Sequence, residues 1–355
     1  SVHMATRTGI GFALPPGVDW IPVDEALFRL KSALSVVVGS TKLTVADANG
    51  RVLAADALAR RANPPHANAA IDGYGFQAAT LGDAPHVVPL AEGRAAAGAP
   101  FVGEVPDGTA LRVLTGAPIP EGVDTLVLDE DTTTAEGHVA FDGPLTTGAN
   151  IRKAGEDFDT GDALLPAGHR LRPQDLALLS AAGCAEVAAY EPLRVGALST
   201  GNELVEPGEA VGTGQIYDAN RPMLLSLARA WAHEAVDLGI APDDAGAVDA
   251  RLDDAARRCD VIVTSGGASA GDEDHISRLL RDKGQVTAWR IALKPGRPLL
   301  LGFWQGVPVF GLPGNPVAAF VCALIFVRPA LSLLSGGGWV APEGHLVPAA
   351  IRKSK

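Results

Sequence analysis

The sequence predicts a multidomain α/β protein whose largest part is a mostly parallel sheet covered by helices on both faces, a three-layer αβα arrangement. Three observations predict this fold. Strand-like and helical segments alternate from residue 194 onward, and short β-prone segments occupy residues 74–150. The 355 residues, 47% of them hydrophobic, are also sufficient for more than one packed core.

The N-terminal part predicts one helix followed by a small β-domain. Over residues 23–38, Ala26, Leu27, Leu30 and Leu34 recur at helical spacing. The sequence NPP at 63–65 breaks regular structure, so we expect a boundary near residue 60. Beyond it, glycine and proline turns separate four β-prone runs, at 87–90, 110–114, 125–128 and 138–141.

The second half predicts a regular alternation of strands and helices. Asn220 is a candidate helix cap, and Pro222 follows in the first turn. The predicted strands are 195–198, 235–240, 261–264, 288–293, 298–301 and 307–311. The predicted helices run from Asn220, through Val248 and Leu252, through Ile276 and Leu279, and from Pro316 to about Leu334. Ligands of such sheets bind at the carboxyl ends of the strands.

Charge, cysteine content and hydropathy limit the classes of partner and the cellular compartment that we expect for this protein. Lys and Arg number 29 against 41 Asp and Glu, a net charge of −12, which argues against nucleic acid and anionic membrane surfaces as partners. The three cysteines, Cys184, Cys259 and Cys322, are far apart and fit neither a disulfide framework nor a zinc site. The apolar run 318–327 is too short to cross a membrane. We therefore expect a cytoplasmic protein that acts on a small molecule.

Four loops at predicted strand ends carry candidate chemistry. Residues 199–203 (STGNE) combine hydroxyls with a carboxylate, and residues 264–274 (TSGGASAGDED) are glycine-rich and end in three acids. Residues 294–298 (KPGRP) and 311–316 (GLPGNP) present cations and rigid turns. Backbone N–H groups beside carboxylates suggest a phosphate site bridged by Mg²⁺. Each loop alone is also compatible with an ordinary turn or with helix-dipole complementarity.

Taken together, these motifs resemble the MoeA / gephyrin E-domain family. The motifs that carry the resemblance in the second half are STGNEL at 199–204, GQIYDANR at 214–221, TSGG at 264–267, KPGRP at 294–298 and GLPGNPV at 311–317. In the first half they are PP at 64–65, NAAIDGY at 68–74, LTGAPIPEG at 114–122, NIR at 150–152 and GED at 155–157.

The resemblance implies an enzyme of molybdenum cofactor biosynthesis, a molybdopterin molybdenumtransferase. Adenylylated molybdopterin and molybdate would be its substrates, Mo-molybdopterin and AMP its products, and Mg²⁺ its cofactor. It also implies a homodimer with a shared active site and handover of the product to molybdoenzymes. The implied domains are a discontinuous α+β linker domain at 17–59 and 150–192, an inserted β-domain at 60–149, a molybdopterin-binding α/β domain at 193–335, and at 336–355 the remnant of a C-terminal β-domain that is missing or truncated.

The resemblance also assigns site residues by position. The implied catalytic residues are Asp72, Thr115, Asp157, Glu203, Asp243 and Asp274. The implied cofactor-binding residues are Ser199, Thr200, Gly201, Ser265, Gly266, Gly267, Ser269, Gly271, Lys294, Gly296, Arg297, Pro313, Gly314 and Asn315. Glu203 and Asp274 are the implied metal ligands.

Two departures from the family pattern keep alternatives open. Residues 67–75 (ANAAIDGYG) lack the acid, the hydroxyl and the methionine that the family usually has there, and Asn202 stands where aspartate is common. A non-catalytic molybdopterin-binding carrier or a scaffold paralogue would also carry the remaining motifs. The choice between molybdenum and tungsten is open as well.

Overall fold

In the computed structural model, residues 20–266, 275–291, 299–345 and 348 are described. The first elements are β1 (Trp20–Ile21), α1 (Val23–Ala33), β2 (Ser40–Thr44) and β3 (Ala57–Leu58). The helix predicted at 23–38 is present but ends at Ala33, and Leu34 is already extended, with φ −114° and ψ 148°. Three consecutive valines at 36–38 explain the early end, because β-branched side chains favour extended backbone.

A six-stranded sheet forms the β-domain, in the order β8-β5-β7-β6-β10-β9. The strands of this part of the chain are β4 (Asn68–Ala69), β5 (Gly73–Phe76), β6 (His86–Ala95), β7 (Ala110–Val113), β8 (Thr125–Leu128), β9 (Thr132–Ala135) and β10 (His138–Phe141). All four predicted β-prone runs are confirmed as strands. The sheet also contains β5 and β9, which the sequence pattern missed.

The chain then returns along its own earlier segments. The returning elements are β11 (Ile151–Arg152), β12 (Ala163–Leu165), α2 (Pro173–Ala181) and β13 (Glu186–Tyr190). Strands β11, β12 and β13 pair antiparallel with β4, β3 and β2, respectively. A small core that includes Leu53, Leu171 and Leu179 packs between these segments. The segments before and after the β-domain therefore pair with each other, and the β-domain lies between them in sequence.

The remaining elements build the large sheet and its helices. They are β14 (Arg194–Thr200), β15 (Leu204–Val205), β16 (Ile216–Tyr217), α3 (Asn220–Ala230), β17 (Glu234–Ala241), α4 (Ala245–Arg258), β18 (Val261–Gly266), α5 (His275–Lys283), β19 (Gln285–Ile291), β20 (Leu299–Trp304), β21 (Val307–Leu312), α6 (Pro316–Cys322) and α7 (Arg328–Leu334). The strand order is β1-β19-β20-β21-β18-β14-β17, and only β20 runs antiparallel to its neighbours.

Two hydrophobic cores cover the two faces of this sheet. Along β18, Val261 and Val263 belong to one core and Ile262 to the other. The first core includes α1, α3, α6 and α7, and the second includes α4 and α5. This alternation has the period of two expected when both faces of a parallel sheet are buried.

The beginning of the described chain also lies on this sheet. Strand β1 pairs in parallel with β19, and Ala26 and Leu30 of α1 are fully buried in the first core. The N–H of Val37 donates to the carbonyl of Leu334 at 3.1 Å. Within residues 17–59, the part that contacts the large sheet and its helices therefore includes β1, α1 and Val37. The domain limits given above remain a prediction.

One helical stretch passes a length-and-composition test for membrane crossing. Pro316–Leu334 spans 19 residues with a mean hydropathy of 2.3, and 56% of its most apolar window is buried inside the protein. Ala319, Phe326 and Ala330 are fully buried in the first core. The burial of this face explains why the stretch is so apolar.

His233, which follows α3, should make stability depend on pH. The side chain is 8% exposed, and burial, assisted by the positive charge of Arg170, lowers its pKa to about 4. The unfolded chain therefore binds a proton near pH 6.5 that the folded chain refuses until about pH 4. We expect this residue to remove up to about 3 kcal/mol of unfolding free energy as the pH falls through that window.

Urea unfolding at about pH 7.5 and 5.0 measures this effect. His233→Gln should lose less stability on acidification than the wild type, whereas His66→Gln, at an exposed position, should behave like the wild type. Equal losses in all three proteins would contradict the assignment.

Candidate functional site

The predicted loops lie at one edge of the large sheet. In the strand register, Thr200 is opposite both Ala241 and Gly266, and Ser265 is opposite Leu312. The carboxyl ends of β14, β17, β18 and β21 therefore lie side by side. Strand β19 runs parallel to β21 through two antiparallel pairings with β20, so it ends at the same edge. The predicted convergence of these strand ends is confirmed.

Asn220 connects three parts of this edge. Its Nδ2 donates to Ser265 Oγ at 2.6 Å and to the carbonyl of Gly314 at 2.9 Å. The predicted capping role is wrong: α3 begins at Asn220 and has no side-chain cap. The amide is used for tertiary hydrogen bonds instead. Sequence reasoning did not include Asn220 among the site residues, although it lies in the GQIYDANR motif.

Three buried polar atoms at this edge have no hydrogen-bond partner within the described part of the chain. They are Ser199 Oγ, Thr200 Oγ1 and Asn220 Oδ1, on side chains that are 1%, 3% and 7% exposed. A buried polar atom without a partner costs about 1–3 kcal/mol, so such atoms usually contact a water or a ligand. The edge thus offers unused donors and acceptors.

Two glycines allow the loops to approach closely. Gly201 has φ +146°, and a Cβ there would lie 2.4 Å from Glu203 Oε2. Gly266 has φ +101°, and a Cβ there would lie 2.4 Å from the carbonyl oxygen of Thr200. The Glu203 carboxylate therefore lies directly against bare backbone at the end of β14.

The loop after β17 brings a second carboxylate to the edge. The N–H of Asp243 donates to Asn202 Oδ1 at 2.9 Å, and Asp243 Oδ1 lies 3.1 Å from His275 Nε2. Asn202, one of the departures from the family pattern, thereby links the β14 and β17 loops. His275 is the first residue of α5, so its contact places the Asp243 carboxylate next to the start of that helix.

Arg221 fixes the loop that carries Glu203. Its guanidinium Nε donates to Asp218 Oδ2 at 3.0 Å and Nη1 donates to Asp237 Oδ1 at 2.5 Å, and Nη2 pairs with Glu206. The Arg221 side chain is 5% exposed. Such a buried cation needs its partners, so it holds loop 203–218 against β17. The spacing of Asp218 and Arg221, three residues apart, could have indicated their ion pair. The pair between Arg221 and Asp237 depends on the tertiary fold, and the sequence does not indicate it.

The remaining predicted residues form a second group in the β-domain. Asp72 Oδ1 accepts hydrogen bonds from both the N–H and the hydroxyl of Thr115, each at 2.7 Å. The backbone donor first and the hydroxyl second lower the pKa of Asp72 below its ordinary value. Asp157 accepts from Asn63 Nδ2 at 2.7 Å and from Arg152 Nη2 at 2.7 Å.

Backbone pairing holds this second group together. Residues 68–69 pair with 151–152 on one side, and on the other the N–H of Gly116 donates to the carbonyl of Ala69 at 2.8 Å. The carboxylates of Asp72 and Asp157 therefore lie on adjoining segments. Within the described ranges, no hydrogen bond or ion pair joins this group to the sheet-edge group of the same chain.

Seven predicted site residues lie outside the described residues. They are Gly267, Ser269, Gly271, Asp274, Lys294, Gly296 and Arg297. Of the others, Pro313 and Gly314 follow β21, and Asn315 caps α6 by accepting from the N–H of Ala318 at 3.1 Å. No three His, Cys, Asp or Glu side chains in the described ranges could hold a metal ion together. The predicted metal pair includes Asp274, so it stays a prediction.

Carboxylates and glycine loops at the ends of parallel strands, beside a separate β-domain, define a multidomain α/β protein with a ligand site at its sheet edge. Residues 196–333 match the family model described as "Probable molybdopterin binding domain", and residues 21–183 match "MoeA N-terminal region (domain I and II)".

Individual relatives agree with these matches. The chain is 38% identical over 318 residues to a "Molybdopterin molybdenumtransferase" of Haemophilus influenzae, covering 89% of this chain and 78% of the relative. It is 36% identical over 300 residues to "Molybdopterin molybdenumtransferase 2" of Mycobacterium tuberculosis, covering 81% and 74%. A crystal structure of the molybdopterin biosynthesis MoeA protein of Pyrococcus horikoshii superposes with a TM-score of 0.76 at 30% identity, covering 90% and 80%. The chain belongs to the molybdopterin molybdenumtransferase family.

Proposed function

We propose that this chain is a molybdopterin molybdenumtransferase of molybdenum cofactor biosynthesis, which inserts molybdenum from molybdate into adenylylated molybdopterin and releases AMP. The observation that carries the proposal is the sheet edge itself. A carboxylate, two hydroxyls that have no hydrogen-bond partner among the described residues, and close-packed glycines lie at that edge, in a chain 38% identical to a relative of that name.

The geometry suits phosphoanhydride cleavage. Such a reaction needs charge neutralisation and positioning more than a protein nucleophile. The Glu203 carboxylate, which lies against Gly201, offers oxygen ligands, which Mg²⁺ prefers. Glu203 and Asp274 would hold Mg²⁺, which supplies charge neutralisation at the phosphates. Lys294 and Arg297 would bind the anionic substrates.

The molybdate side of the reaction is proposed for the β-domain. Asp72 is kept ionised there by its two donors from Thr115, and Asp157 is oriented by Asn63 and Arg152. Because no bond joins this group to the sheet edge within the described part of one chain, we propose that the two groups meet across a homodimer. Transfer of the product to molybdoenzymes would follow from the same assembly.

The test is AMP release from adenylylated molybdopterin with Mg²⁺, in the presence and absence of molybdate. We expect molybdate to stimulate release. Tungstate in place of molybdate would show whether the enzyme distinguishes the two oxyanions. Tight binding of adenylylated molybdopterin without stimulated release would instead favour a carrier, and absence of binding would overturn both assignments.

A further inference from the structure

A small cavity lies at the edge of the large sheet opposite the candidate site. Its volume is about 60 Å³, and its lining includes Arg51, Arg170, Tyr190, Glu191, His233 and Ser335. Leu193, immediately before β14, also lines it, so the cavity is at the amino end of that strand. Arg51 and Arg170 come from the antiparallel segments beside the β-domain, whereas His233 and Ser335 follow helices of the α/β sheet. The cavity thus lies at a junction of two parts of the chain.

Two arginines line the cavity, and each uses its guanidinium to bond a backbone carbonyl. Arg51 Nη2 donates to the carbonyl of Tyr190 at 2.7 Å, and Arg170 Nη1 donates to the carbonyl of Gly50 at 2.7 Å. Neither arginine forms an ion pair with a carboxylate within the described ranges. Each guanidinium has five N–H donors, so each retains donors beyond the one bond described.

Burial makes these unpaired cations unusual. Both arginines are half-buried, and burial lowers the pKa of Arg170 below its ordinary value. A charge withdrawn from water is unfavourable unless an opposite charge approaches it. Elsewhere in the described chain the comparable arginine, Arg221, is surrounded by three carboxylates. The two arginines outnumber the one carboxylate of the lining, Glu191, and within the described ranges neither pairs with it, so the cavity would attract an anion.

The other wall of the cavity is also compatible with an anion. His233 is 8% exposed and neutral above about pH 4, and neither of its ring nitrogens has a described hydrogen bond, so its N–H can donate. Ser335 is 5% exposed, and its hydroxyl already donates to the carbonyl of Ser332 at 3.0 Å. Glu191 is exposed at the rim and makes no described ion pair with either guanidinium.

The cavity is large enough for a small anion. One water needs roughly 10–15 Å³ of such volume, and the cavity has about 60 Å³. A tetrahedral oxyanion presents four oxygens, and guanidinium groups bind such oxygens through paired N–H donors. We propose that the cavity binds one tetrahedral oxyanion of the phosphate, sulfate or molybdate class, which bridges Arg51 and Arg170 to His233.

This site is independent of the proposed catalytic function. It uses none of the residues at the carboxyl ends of the strands, and it would bind an oxyanion whether or not the chain is an enzyme. Its effect would be to stabilise the junction between the α/β sheet and the segments that carry Arg51 and Arg170. The three oxyanions share one chemistry, so separate titrations identify which of them binds best.

Isothermal titration of the full chain with phosphate, sulfate or molybdate, at constant ionic strength set by chloride, tests the proposal. Arg170→Gln should weaken binding at this site at least about tenfold, because it removes a positive charge that would bond the anion directly. Arg170→Lys should retain part of the affinity, and Arg61→Gln, at an exposed position, should retain all of it.

One further variant separates this site from the candidate active site. Lys294→Gln removes a cation that the family resemblance assigns to the other edge, so it should leave the junction binding unchanged. Circular dichroism establishes that each variant is folded at the titration temperature, and Arg51→Gln serves in place of Arg170→Gln should the latter unfold. Wild-type affinity in whichever of these two arginine variants is folded, or loss of all oxyanion binding in Lys294→Gln alone, would overturn the proposal.

Discussion

Glu203→Gln is expected to lower molybdate-stimulated AMP release at least about 100-fold, because a metal or charge-stabilising ligand supplies several kcal/mol to such a reaction and each 1.36 kcal/mol is a factor of ten. The substitution keeps the shape of the side chain that lies against Gly201 and removes only its charge. Raising the Mg²⁺ concentration should recover part of the rate. The measurement is kcat as a function of Mg²⁺ concentration.

Glu209 provides a matched control on the same loop. It is exposed, and its described contacts involve only its backbone, including the carbonyl that accepts from the Tyr217 hydroxyl at 2.9 Å. Glu209→Gln should therefore keep the wild-type rate and Mg²⁺ dependence. An unchanged rate in Glu203→Gln would remove this carboxylate from the mechanism, although the family assignment would stand.

Gly73→Ala is expected to disrupt the β-domain, with a loss of about 3 kcal/mol or more in unfolding free energy. Gly73 lies between β7 and β8, and a Cβ on it would be 1.8 Å from the carbonyl oxygen of Val127. That neighbour is backbone of a paired strand, so it cannot move without breaking the sheet. Asp72 immediately precedes this position, so its bonds to Thr115 should be disturbed as well.

Gly82→Ala is the control for this substitution. A Cβ at Gly82 meets nothing within 4 Å, and its backbone conformation is accessible to alanine. Chemical unfolding should therefore give a near-wild-type free energy for Gly82→Ala and a large loss for Gly73→Ala. Similar stabilities for the two variants would show that β8 does not pack against Gly73 as described.

The elements of the α/β part were largely predictable from local pattern. Val248 and Leu252 indicate α4 because they form one apolar face of a helix. The run at 261–264 indicates β18 because a short, largely apolar run is typical of a buried strand. By contrast, β5 has two glycines among its four residues, so its sequence reads as a loop. Only its neighbours β7 and β8 make it a strand, and those pairings are remote in sequence.

Many residues of the candidate site could be predicted from the sequence, but the hydrogen bonds and ion pairs between them could not. The glycine-rich and acidic loops identified Glu203 and Ser265, and family resemblance identified Asp72 and Thr115. Asn220 was misassigned because an asparagine before a helix commonly caps it, and only tertiary contacts show that its amide bonds Ser265 and Gly314. The role of Arg221 depends on Asp237, a partner that local pattern does not reveal.

The pairing of β1 with β19 makes assembly of the α/β part a long-range process. The N–H of Val37 likewise donates to the carbonyl of Leu334, at the end of α7. Leu30 of α1 can therefore enter its complete core only after segments remote in sequence, among them β20 and α7, have come together. The strands of the β-domain are nearer one another in sequence, so that sheet can close earlier. Formation of the α/β core is consequently expected to be the slower step when the chain refolds.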